Sequence, residues 1–482
     1  MNTQPHQLST SELKQLSKQK LIQIILQLSK SICDFHQNNK KLEQYNQKLE
    51  QKIKELENQL KKLNKDSNTS SKPPSQDIHK QNKKNQSLRK KSDKKTGGQN
   101  GHQGTNRAQV NNPDEIIKCE PKQCSKCGES LHNQHGIISE KRQERDIPPI
   151  NVTITEYQQI KKQCKCGCIN RGKFPNHIKS YVQIGDNAQA FLIYLNIAQL
   201  IPFKRLKNIA DDLFGFPISE GSIDNILNRA EKRGNPLHKM IMNIVKSGKW
   251  VGSDETGIRI EGHRDWLWTW QNKLASYYAI EVSRGYQVPA KHFGEDYKGV
   301  LNHDCWSAQN NTKAKQGHQQ CHPHLQRFLK FLIEVYNSKW AYELYKLLYK
   351  SQQAQKKIWQ KDFDKKIREQ VILGYKQQLK TFLNQSLQEK EEITLQKRFC
   401  KHQDSIFRFL YDPDIPFHNN DSEKAIRNAK VKQKISGGFR SRKGADRYAV
   451  LLSIVETAKK QEFNLLDSIK ALLGGRLVFG GC

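Results

Sequence analysis

Lys249–Ile260 reads KWVGSDETGIRI, and our interpretation of the fold starts from this stretch. Its residues alternate in character as they do in a strand that is buried in a sheet. Asp254 stands in the middle of the run, where an acidic side chain is unusual. We therefore interpret the stretch as the first strand of a sheet core and Asp254 as a candidate functional residue.

Further strands are predicted directly after it. Asp265–Asn272 (DWLWTWQN) and Ala275–Ser283 (ASYYAIEVS) are rich in aromatic and β-branched residues and are bounded by turn-formers or charge. Three antiparallel strands in sequence are the expected result. After a helix-like segment, Tyr286–Phe293, the apolar run Lys298–Asp304 (KGVLNHD) ends on a second acid. Asp304 is therefore predicted at a strand end.

When a strand with an acid at its centre lies beside a strand that ends on an acid, the two carboxylates meet at one edge of the sheet and can bind a metal there. Such a site needs a third acid. Glu423 is the best candidate. Asn420, Asp421 or Ser422 can cap a helix there. Glu423 then falls in the first turn of that helix. Acids at such places often face solvent or match the helix dipole, so it is the combination that favours a shared site.

The motifs resemble, in this order, those of the transposases of the insertion sequence 66 family. They are S-S-K-P-P-S at Ser70–Ser75, K-K-T-G-G-Q-N-G-H-Q-G-T-N-R at Lys94–Arg107, two cysteine knuckles, D-E-T-G at Asp254–Gly257, the strand that ends on Asp304, C-H-P-H-L-Q-R at Cys321–Arg327 and N-N-D-S-E-K-A-I-R at Asn419–Arg427. The resemblance covers nearly the whole chain.

The resemblance implies a ribonuclease-H-like fold with an Asp-Asp-Glu triad at Asp254, Asp304 and Glu423. It implies two Mg²⁺ (or Mn²⁺) ions, with Asp254 bridging both and the other two acids each closing one side. Carboxylates suit such hard cations. The implied activity is metal-dependent cleavage and strand transfer at insertion-sequence ends, without a covalent protein–DNA intermediate. Water first frees a 3′-hydroxyl at the element's end, and that hydroxyl then attacks the target DNA. Small accessory proteins encoded beside such transposases are further expected partners.

The charge balance independently predicts a polyanionic partner. The chain has 482 residues and a formal net charge of +34. Double-stranded DNA is favoured over a membrane surface, because the basic residues are spread over several segments and no apolar stretch approaches the ~18–20 residues of a membrane span. The first residues lack the basic-then-apolar pattern of a signal peptide. We expect a cytoplasmic protein associated with the bacterial nucleoid.

The predicted fold class is a multidomain α+β/α/β protein. It combines an N-terminal coiled coil, a zinc ribbon, a helical region and the ribonuclease-H-like core with a long α-helical insertion. The predicted domains are a coiled coil at 11–64, a basic Pro/Gly-rich linker or arm at 65–118, a zinc-binding domain at 119–180, a helical region at 181–248, the catalytic domain at 249–470 with its insertion at about 325–411, and an atypical tail at 471–482.

The coiled coil is predicted from a heptad repeat. Every seventh residue is apolar from Leu21 to Leu63, and Ile25, Ile32, Ile53 and Leu60 form the second seam. Asn39 and Asn46 interrupt that seam, as polar residues do where they set register and oligomeric state. We predict a homodimer or a higher oligomer. The arm that follows is interpreted either as a solvated linker or as a disordered segment that tracks phosphates.

The cysteines indicate a structural zinc site. Five of the eleven fall between Cys124 and Cys168 in tight groups, which suits metal ligation in a reducing compartment better than disulfides. The predicted ligands are Cys124, Cys127, Cys164 and Cys166, with Cys168 as an alternative to Cys166 and Cys119 as a less suitable substitute. The alternation of Asn151–Lys161 predicts a strand between the knuckles.

Two helical regions flank the predicted strands. Ala188–Arg233 is interpreted as helices broken at Pro202 and Pro217, either a DNA-reading element or a packing layer. Pro323–Pro413 is a predicted helical insertion. Cys321 and His324 stand at its entrance as C-x-x-H, and we prefer a structural role near the active site over a second zinc site.

The segment after Glu423 is predicted to bind DNA, although a solvated basic helix face is the plainer interpretation. Its basic residues are Arg427, Lys430, Lys432, Lys434, Arg440, Arg442, Lys443 and Arg447. The helix Tyr448–Lys460 is expected to pack on the sheet.

Two rival functions follow from the same sequence. A noncatalytic DNA-binding or bridging protein would need only the coiled coil, the arm and the zinc ribbon, so the acidic triad argues against it. An inactive transposase remnant is favoured somewhat by the ending Leu472–Cys482 (LLGGRLVFGGC), which does not look like the usual family terminus.

Overall fold

The computed structural model describes residues 16–63, 108–147, 152–360 and 363–480. Two compact units make up the chain: Met1–Gln81 with Gln319–His418, and Asn82–His318 with Asn419–Cys482. Most of the predicted basic arm, residues 65–107 of 65–118, lies outside the described residues. Helices and a sheet core together form the described chain, as the mixed fold class predicts.

The N-terminal helix, α1 (Lys18–Leu63), is continuous over 46 residues and coincides with the heptad repeat. Its two predicted seams are open to solvent in the single chain: Leu28, Phe35, Leu42, Ile25 and Ile32 each keep more than half of their surface exposed. The helix is confirmed, and the pairing of two such helices stays a prediction.

The predicted strand at Asn151–Lys161 was wrong. The described residues 152–160 have no regular structure and are exposed. Their alternation of apolar and polar residues therefore does not correspond to a strand with one buried face. The ladder instead consists of β1 (Lys161–Gln163) and β2 (Ile169–Arg171), an antiparallel hairpin around the second knuckle. The tight turn of the cysteines, rather than side-chain alternation, determines where this hairpin forms.

The helical region before the core has the predicted breaks. It contains α2 (Asp186–Ile193), which continues as a π-helical turn, α3 (Phe203–Phe214) and α4 (Glu220–Ser247). Pro202 stands immediately before α3, and Ser219 caps α4 through its side chain. The residues that this layer contributes to the core include Leu206, Ile223, Ile226 and Ile244, all of them buried.

The predicted core strands are confirmed. They are β3 (Trp250–Ile260), β4 (His263–Gln271) and β5 (Ser276–Glu281), followed by the short helix α5 (Gln287–His292) and by β6 (Val300–His303). After α6 (Ser307–Asn310), β7 (His318–Gln320) completes the sheet order β5-β4-β3-β6-β7. β3, β4 and β5 are antiparallel in sequence, whereas β6 runs parallel to β3.

Aromatic side chains stabilise one face of this sheet. Trp268 and Trp270 are fully buried and their rings stack at 5.8 Å. Phe293 lies parallel to Trp270 at 6.2 Å, and His238 from α4 stacks on Tyr277 at 4.2 Å. The apolar area that these rings bury is the main contribution to the core's stability.

The other unit contains the predicted helical insertion. Its helices are α7 (His322–Tyr336), α8 (Lys339–Ile358), α9 (Lys365–Leu383) and α10 (Lys390–Lys401). Buried leucines at helical spacing, such as Leu344, Leu347 and Leu348, form its core.

Three helices complete the sheet unit: α11 (Asn420–Ser436), α12 (Arg442–Lys460) and α13 (Leu465–Leu473). α12 packs on the sheet, as predicted for Tyr448–Lys460. The Ser453 hydroxyl accepts from the amide of Tyr278 at 2.9 Å and the Thr457 hydroxyl from that of Ser276 at 3.2 Å. These hydroxyls satisfy the donors of the edge strand β5, which would otherwise be open to pairing.

Candidate active site

Asp254 lies in the centre of β3, opposite Thr269 of β4. Only 7% of its surface is exposed. The amide of Glu255 donates to Asp254 Oδ1 at 2.9 Å, so one carboxylate oxygen is fixed by the backbone of its own strand.

Asp304 comes directly after β6. The parallel ladder ends at the pair Gly252 and Asn302, and each acid follows its member of this pair by two residues. The chain then turns at Cys305, which has a positive φ of 73°. The amide of Trp306 donates to Asp304 Oδ1 at 3.2 Å. Backbone conformations of this kind in a non-glycine residue are concentrated at functional sites.

Glu423 lies in the first turn of α11, as predicted, but the predicted capping residues were wrong: Asn420, Asp421 and Ser422 lie within the helix, whose N-cap position is Asn419. The segment that carries it docks along the edge of β3 that β6 leaves unpaired. Asn419 Nδ2 donates to the Ser253 carbonyl at 2.7 Å, Lys430 Nζ to the Gly257 carbonyl at 2.7 Å and the Phe439 amide to the Arg259 carbonyl at 2.8 Å. Satisfying these carbonyls holds the start of α11 beside Asp254.

Gly252 allows this docking. A Cβ atom at this position would overlap the Ser422 hydroxyl and would lie 3.1 Å from Asn419 Oδ1. Ser422 is fully buried, and its hydroxyl also accepts from Gln271 Nε2 at 3.2 Å. The glycine in the sequence WVGSDETG is therefore needed for helix packing two residues before Asp254.

The neighbouring acids are close enough to Asp254 to affect its ionisation. The pKa of Asp254 is raised well above its ordinary value, first by burial and then by the negative charges of Asp304, Glu255 and Glu423. The hydrogen bond from the Glu255 amide opposes this shift. The three predicted acids thus share one electrostatic environment, in which a cation would relieve the repulsion.

Glu255 is a buried acid of this site that the sequence did not single out. Its side chain is fully buried and forms an ion pair with Arg284, whose Nη2 lies 2.7 Å from Glu255 Oε1, while Gln309 donates to Oε2. Burial and the charge of Asp304 raise the pKa of Glu255 to about 7, although Arg284 acts in the opposite direction. Neighbouring strand residues point to opposite faces, so the D-E sequence alone did not indicate a second role.

The structure divides the basic tract into two groups. Arg427, Lys430, Lys434, Arg440 and Lys443 are exposed. Lys432 is buried, which, with the charge of Arg447, lowers its pKa to about 8.

The other two arginines of the tract are held by acids. Arg442 contacts Asp446 and Asp265, each at 2.9 Å, and Arg447 contacts Asp224 at 2.6 Å. These two arginines and Lys432 therefore serve the fold. The exposed residues other than Lys430, which donates to the Gly257 carbonyl, form a candidate DNA surface.

Both cysteine knuckles are formed as turns. Gly128 and Gly167 have positive φ values of 78° and 86°, and their amides donate to the carbonyls of Cys124 and Cys164 at 2.9 Å. Hydrogen bonds lower the pKa of Cys124, and the largest contribution comes from the backbone amide of Cys127. Hydrogen bonds also lower the pKa of Cys166, and here the largest contribution comes from the backbone amide of Cys168. A lowered thiol pKa favours the thiolate, the form that binds zinc.

The sulfur atoms of the two knuckles are not gathered into one cluster anywhere in the residues that the structure describes. Their donor chemistry fits zinc, and the convergence of Cys124, Cys127, Cys164 and Cys166, or of Cys168 in place of Cys166, stays a prediction.

Cys321 and His324 belong to the other unit. Cys321 immediately precedes α7 and is completely buried, and His324 lies in the first turn with 8% of its surface exposed. Between them, His322 is held by the Ile406 carbonyl at 2.8 Å and by Gln352, and burial lowers its pKa to about 4. The motif thus contains a neutral structural histidine that the sequence did not distinguish from a ligand.

Comparison with protein families identifies the chain. The model of the transposase IS66 family matches residues 182–447, more than half of the sequence. The chain belongs to the IS66 transposase family. The match spans the helical region, all of the sheet, the helical insertion and the first turn of α11, so the three acids lie within it.

The comparisons outside that region are less informative. Residues 3–108 match a family of unknown function (DUF6444). The uncharacterized protein y4jO of Sinorhizobium fredii is 40% identical over 63 residues, which is 13% of this chain and 20% of that protein. The matched segment thus spans about a fifth of this relative. Among the helices that the structure describes, none combines the length and apolar character needed to cross a membrane.

Proposed function

We propose that this IS66 family member is a DNA transposase that cleaves the ends of its insertion sequence and joins them to target DNA, with Asp254, Asp304 and Glu423 as its catalytic acids. The observation that carries the proposal is that Asp254 is buried in the centre of β3 with Asp304 and Glu423 near enough for their charges, after burial itself, to raise its pKa. Buried carboxylates that repel one another are typical of sites that bind cations.

The three acids would hold the divalent ions, Mg²⁺ or Mn²⁺. When bound, two such ions make the attacking oxygen reactive and stabilise the leaving oxygen of a phosphodiester. Glu255 differs from the triad, because Arg284 and Gln309 already occupy both of its oxygens. We assign it a supporting role, in which it holds Arg284 beside the acids.

The strand order supports a ribonuclease-H-like core, as the resemblance implies. Three antiparallel strands in sequence are followed by a fourth that lies parallel to the first. This arrangement puts the central acid of β3 and the terminal acid of β6 on neighbouring strands. The exposed cations Arg427, Lys434, Arg440 and Lys443 would contact the phosphates of the DNA.

A strand-cleavage assay on DNA with the element's own ends tests the proposal. We expect the full chain to nick the ends with Mg²⁺ or Mn²⁺ and to leave them intact without divalent metal. Specific binding of the ends without cleavage under either metal would instead support the noncatalytic DNA-bridging alternative.

We propose that Cys124, Cys127, Cys164 and Cys166 hold a structural zinc ion. Replacing Cys124 with serine is expected to lower the zinc content of the purified chain from about one ion to about none, because three thiolates hold zinc much less tightly than a closed set of four. Elemental analysis of the purified protein measures this. Cys400→Ser, an exposed cysteine of the helical insertion, is the matched control and should keep its zinc. Full zinc content in Cys124→Ser would disprove the ligand assignment.

We also propose that α1 pairs two chains, which would hold two element ends together. Its exposed seam of Leu28, Phe35, Leu42, Leu49 and Leu56 supports this, since a helix with such a stripe is stable in water when a second helix covers it. A chain that lacks residues 1–64 is expected to sediment at a lower oligomeric state while its core remains folded. An unchanged sedimentation coefficient, corrected for the lost mass, would assign self-association to another part of the chain.

A further inference from the structure

Two arginines and two tryptophans form a stack beside the acids. The Arg264 guanidinium lies over the Trp266 ring at 4.6 Å, and Arg284 lies over the same ring at 4.7 Å. Arg284 also lies over the Trp306 ring at 3.6 Å. We call these four residues the Arg–Trp stack. Such an alternation of guanidinium and indole planes is the composition of surfaces that bind single strands of nucleic acid.

The stack has excess positive charge at one end. Arg259 and Arg264 stand directly opposite each other on β3 and β4. Like charges in this cross-strand position are destabilising. Neither arginine forms an ion pair with an acidic side chain in the described part of the chain. Burial, and after it the charge of Arg264, lowers the pKa of the nearby Lys430. A bound phosphate would remove this repulsion.

The other end of the stack is attached to the catalytic acids. Trp306 donates through its backbone amide to Asp304 Oδ1 and through Nε1 to the Arg284 carbonyl, both at 3.2 Å. Arg284 is fixed in turn by the buried Glu255, the neighbour of Asp254. The indole is thus held rigidly, yet 38% of Trp306 remains exposed. Arg284 covers one side of the ring, and the exposed part is open to a stacked base.

We propose that the Arg–Trp stack, together with Arg259, binds an unpaired DNA strand at the cleavage site, with phosphates on Arg259 and Arg264 and a nucleobase on Trp306. The base must be unpaired, because the face of a base is accessible to a side chain only after the base leaves the duplex stack. This inference rests on the proposed function and adds the form of its substrate, a DNA end whose strands are separated next to the reacting phosphate.

The test uses the full chain without added divalent metal, so that no chemistry is needed. The probe is an end duplex with a short unpaired tail, in which 2-aminopurine occupies the position next to the cleaved phosphodiester. Stacking on an indole quenches the fluorescence of this base. We expect quenching with the wild type and with Trp306→Phe, and its loss with Trp306→Ala. The backbone contact of residue 306 with Asp304 is kept in both variants.

Affinities for tailed and blunt ends give the second measurement. Trp306→Ala should weaken binding to the tailed end about tenfold, which is the scale of one base stack, and should hardly affect the blunt end. Arg264→Ala should lower the salt dependence of binding to the tailed end by about 0.7 in log–log slope, the value of one phosphate contact on a single strand. Arg476→Ala, an exposed arginine near the C-terminal end of the sheet unit, is the control and should change neither quantity.

Two results would overturn the inference. The first is unchanged quenching of the probe by Trp306→Ala. The second is an equal loss of affinity of Trp306→Ala for tailed and blunt ends, which would mean that Trp306 only positions Asp304. The proposed function fails separately, if the wild type quenches the probe but does not cleave DNA in the presence of Mg²⁺ or Mn²⁺.

Discussion

Replacing Asp254 with asparagine is expected to slow cleavage of the element's ends by about a thousandfold or more. The amide keeps the shape of the side chain but removes the charge that would hold the metal ions. Losing about 4 kcal/mol of transition-state stabilisation corresponds to three powers of ten in rate. Single-turnover cleavage of labelled ends with Mg²⁺ measures the effect, and binding of the ends should be nearly unchanged.

The same variant is expected to be at least as stable as the wild type when no divalent metal is present. The pKa of Asp254 is raised in the folded protein, so the folded state binds its proton more tightly than the unfolded chain does. The wild type therefore loses stability as the pH rises from the ordinary carboxyl pKa through the raised one. Asparagine removes this dependence. Thermal unfolding at pH 5 and pH 8 should show a smaller decrease for Asp254→Asn, and Mg²⁺ should stabilise the wild type alone.

Two acids in one helical turn provide a matched control. Glu423→Gln should impair cleavage as Asp254→Asn does, whereas Asp421→Asn should not. Asp421 lies in the same first turn of α11 but is exposed and forms a surface pair with Lys424 at 3.7 Å. Wild-type cleavage rates in Asp254→Asn or Glu423→Gln, measured on the same ends, would disprove the assignment of the triad.

Replacing Gly252 with alanine is expected to have the second-largest effect. The new methyl group would occupy the place of the Ser422 hydroxyl, so the start of α11 must move away from β3. Overpacking of this kind costs about 1–3 kcal/mol of folding free energy. The movement would also displace Glu423, and a shift of about 1 Å in a catalytic group lowers rates about a hundredfold. Chemical denaturation and the cleavage assay measure the two effects.

Gly221→Ala is the control for this variant. Gly221 lies in the first turn of α4, and a Cβ atom there would meet nothing closer than the Ser219 hydroxyl at 3.8 Å. Its replacement should leave cleavage unchanged and should stabilise the helix slightly. If Gly252→Ala retained wild-type stability and activity, the close packing of α11 on β3 would not position Glu423.

The sequence determined the local structure and the three acids. Hydrophobic periodicity was sufficient for α1 and for the core strands, because these segments are long or strongly patterned. The positions of Asp254 and Asp304 followed from the same pattern, and that of Glu423 from a predicted helix start, although the predicted capping residues lie inside the helix. The hairpin at the second knuckle was not predictable in this way, since Lys161–Gln163 and Ile169–Arg171 are exposed and too short to show a period.

Only the tertiary structure decided how individual charges are used. Arg442 and Arg440 are alike in sequence, yet one contacts two carboxylates and the other faces solvent. Glu255 forms an ion pair with Arg284, 29 positions away, and no local pattern records such a pairing. The burial that raises the pKa of an acid or covers a lysine arises when distant segments pack together. The periodicity of the sequence specifies each helix and strand, whereas the electrostatic environment of a side chain depends on which elements pack against each other.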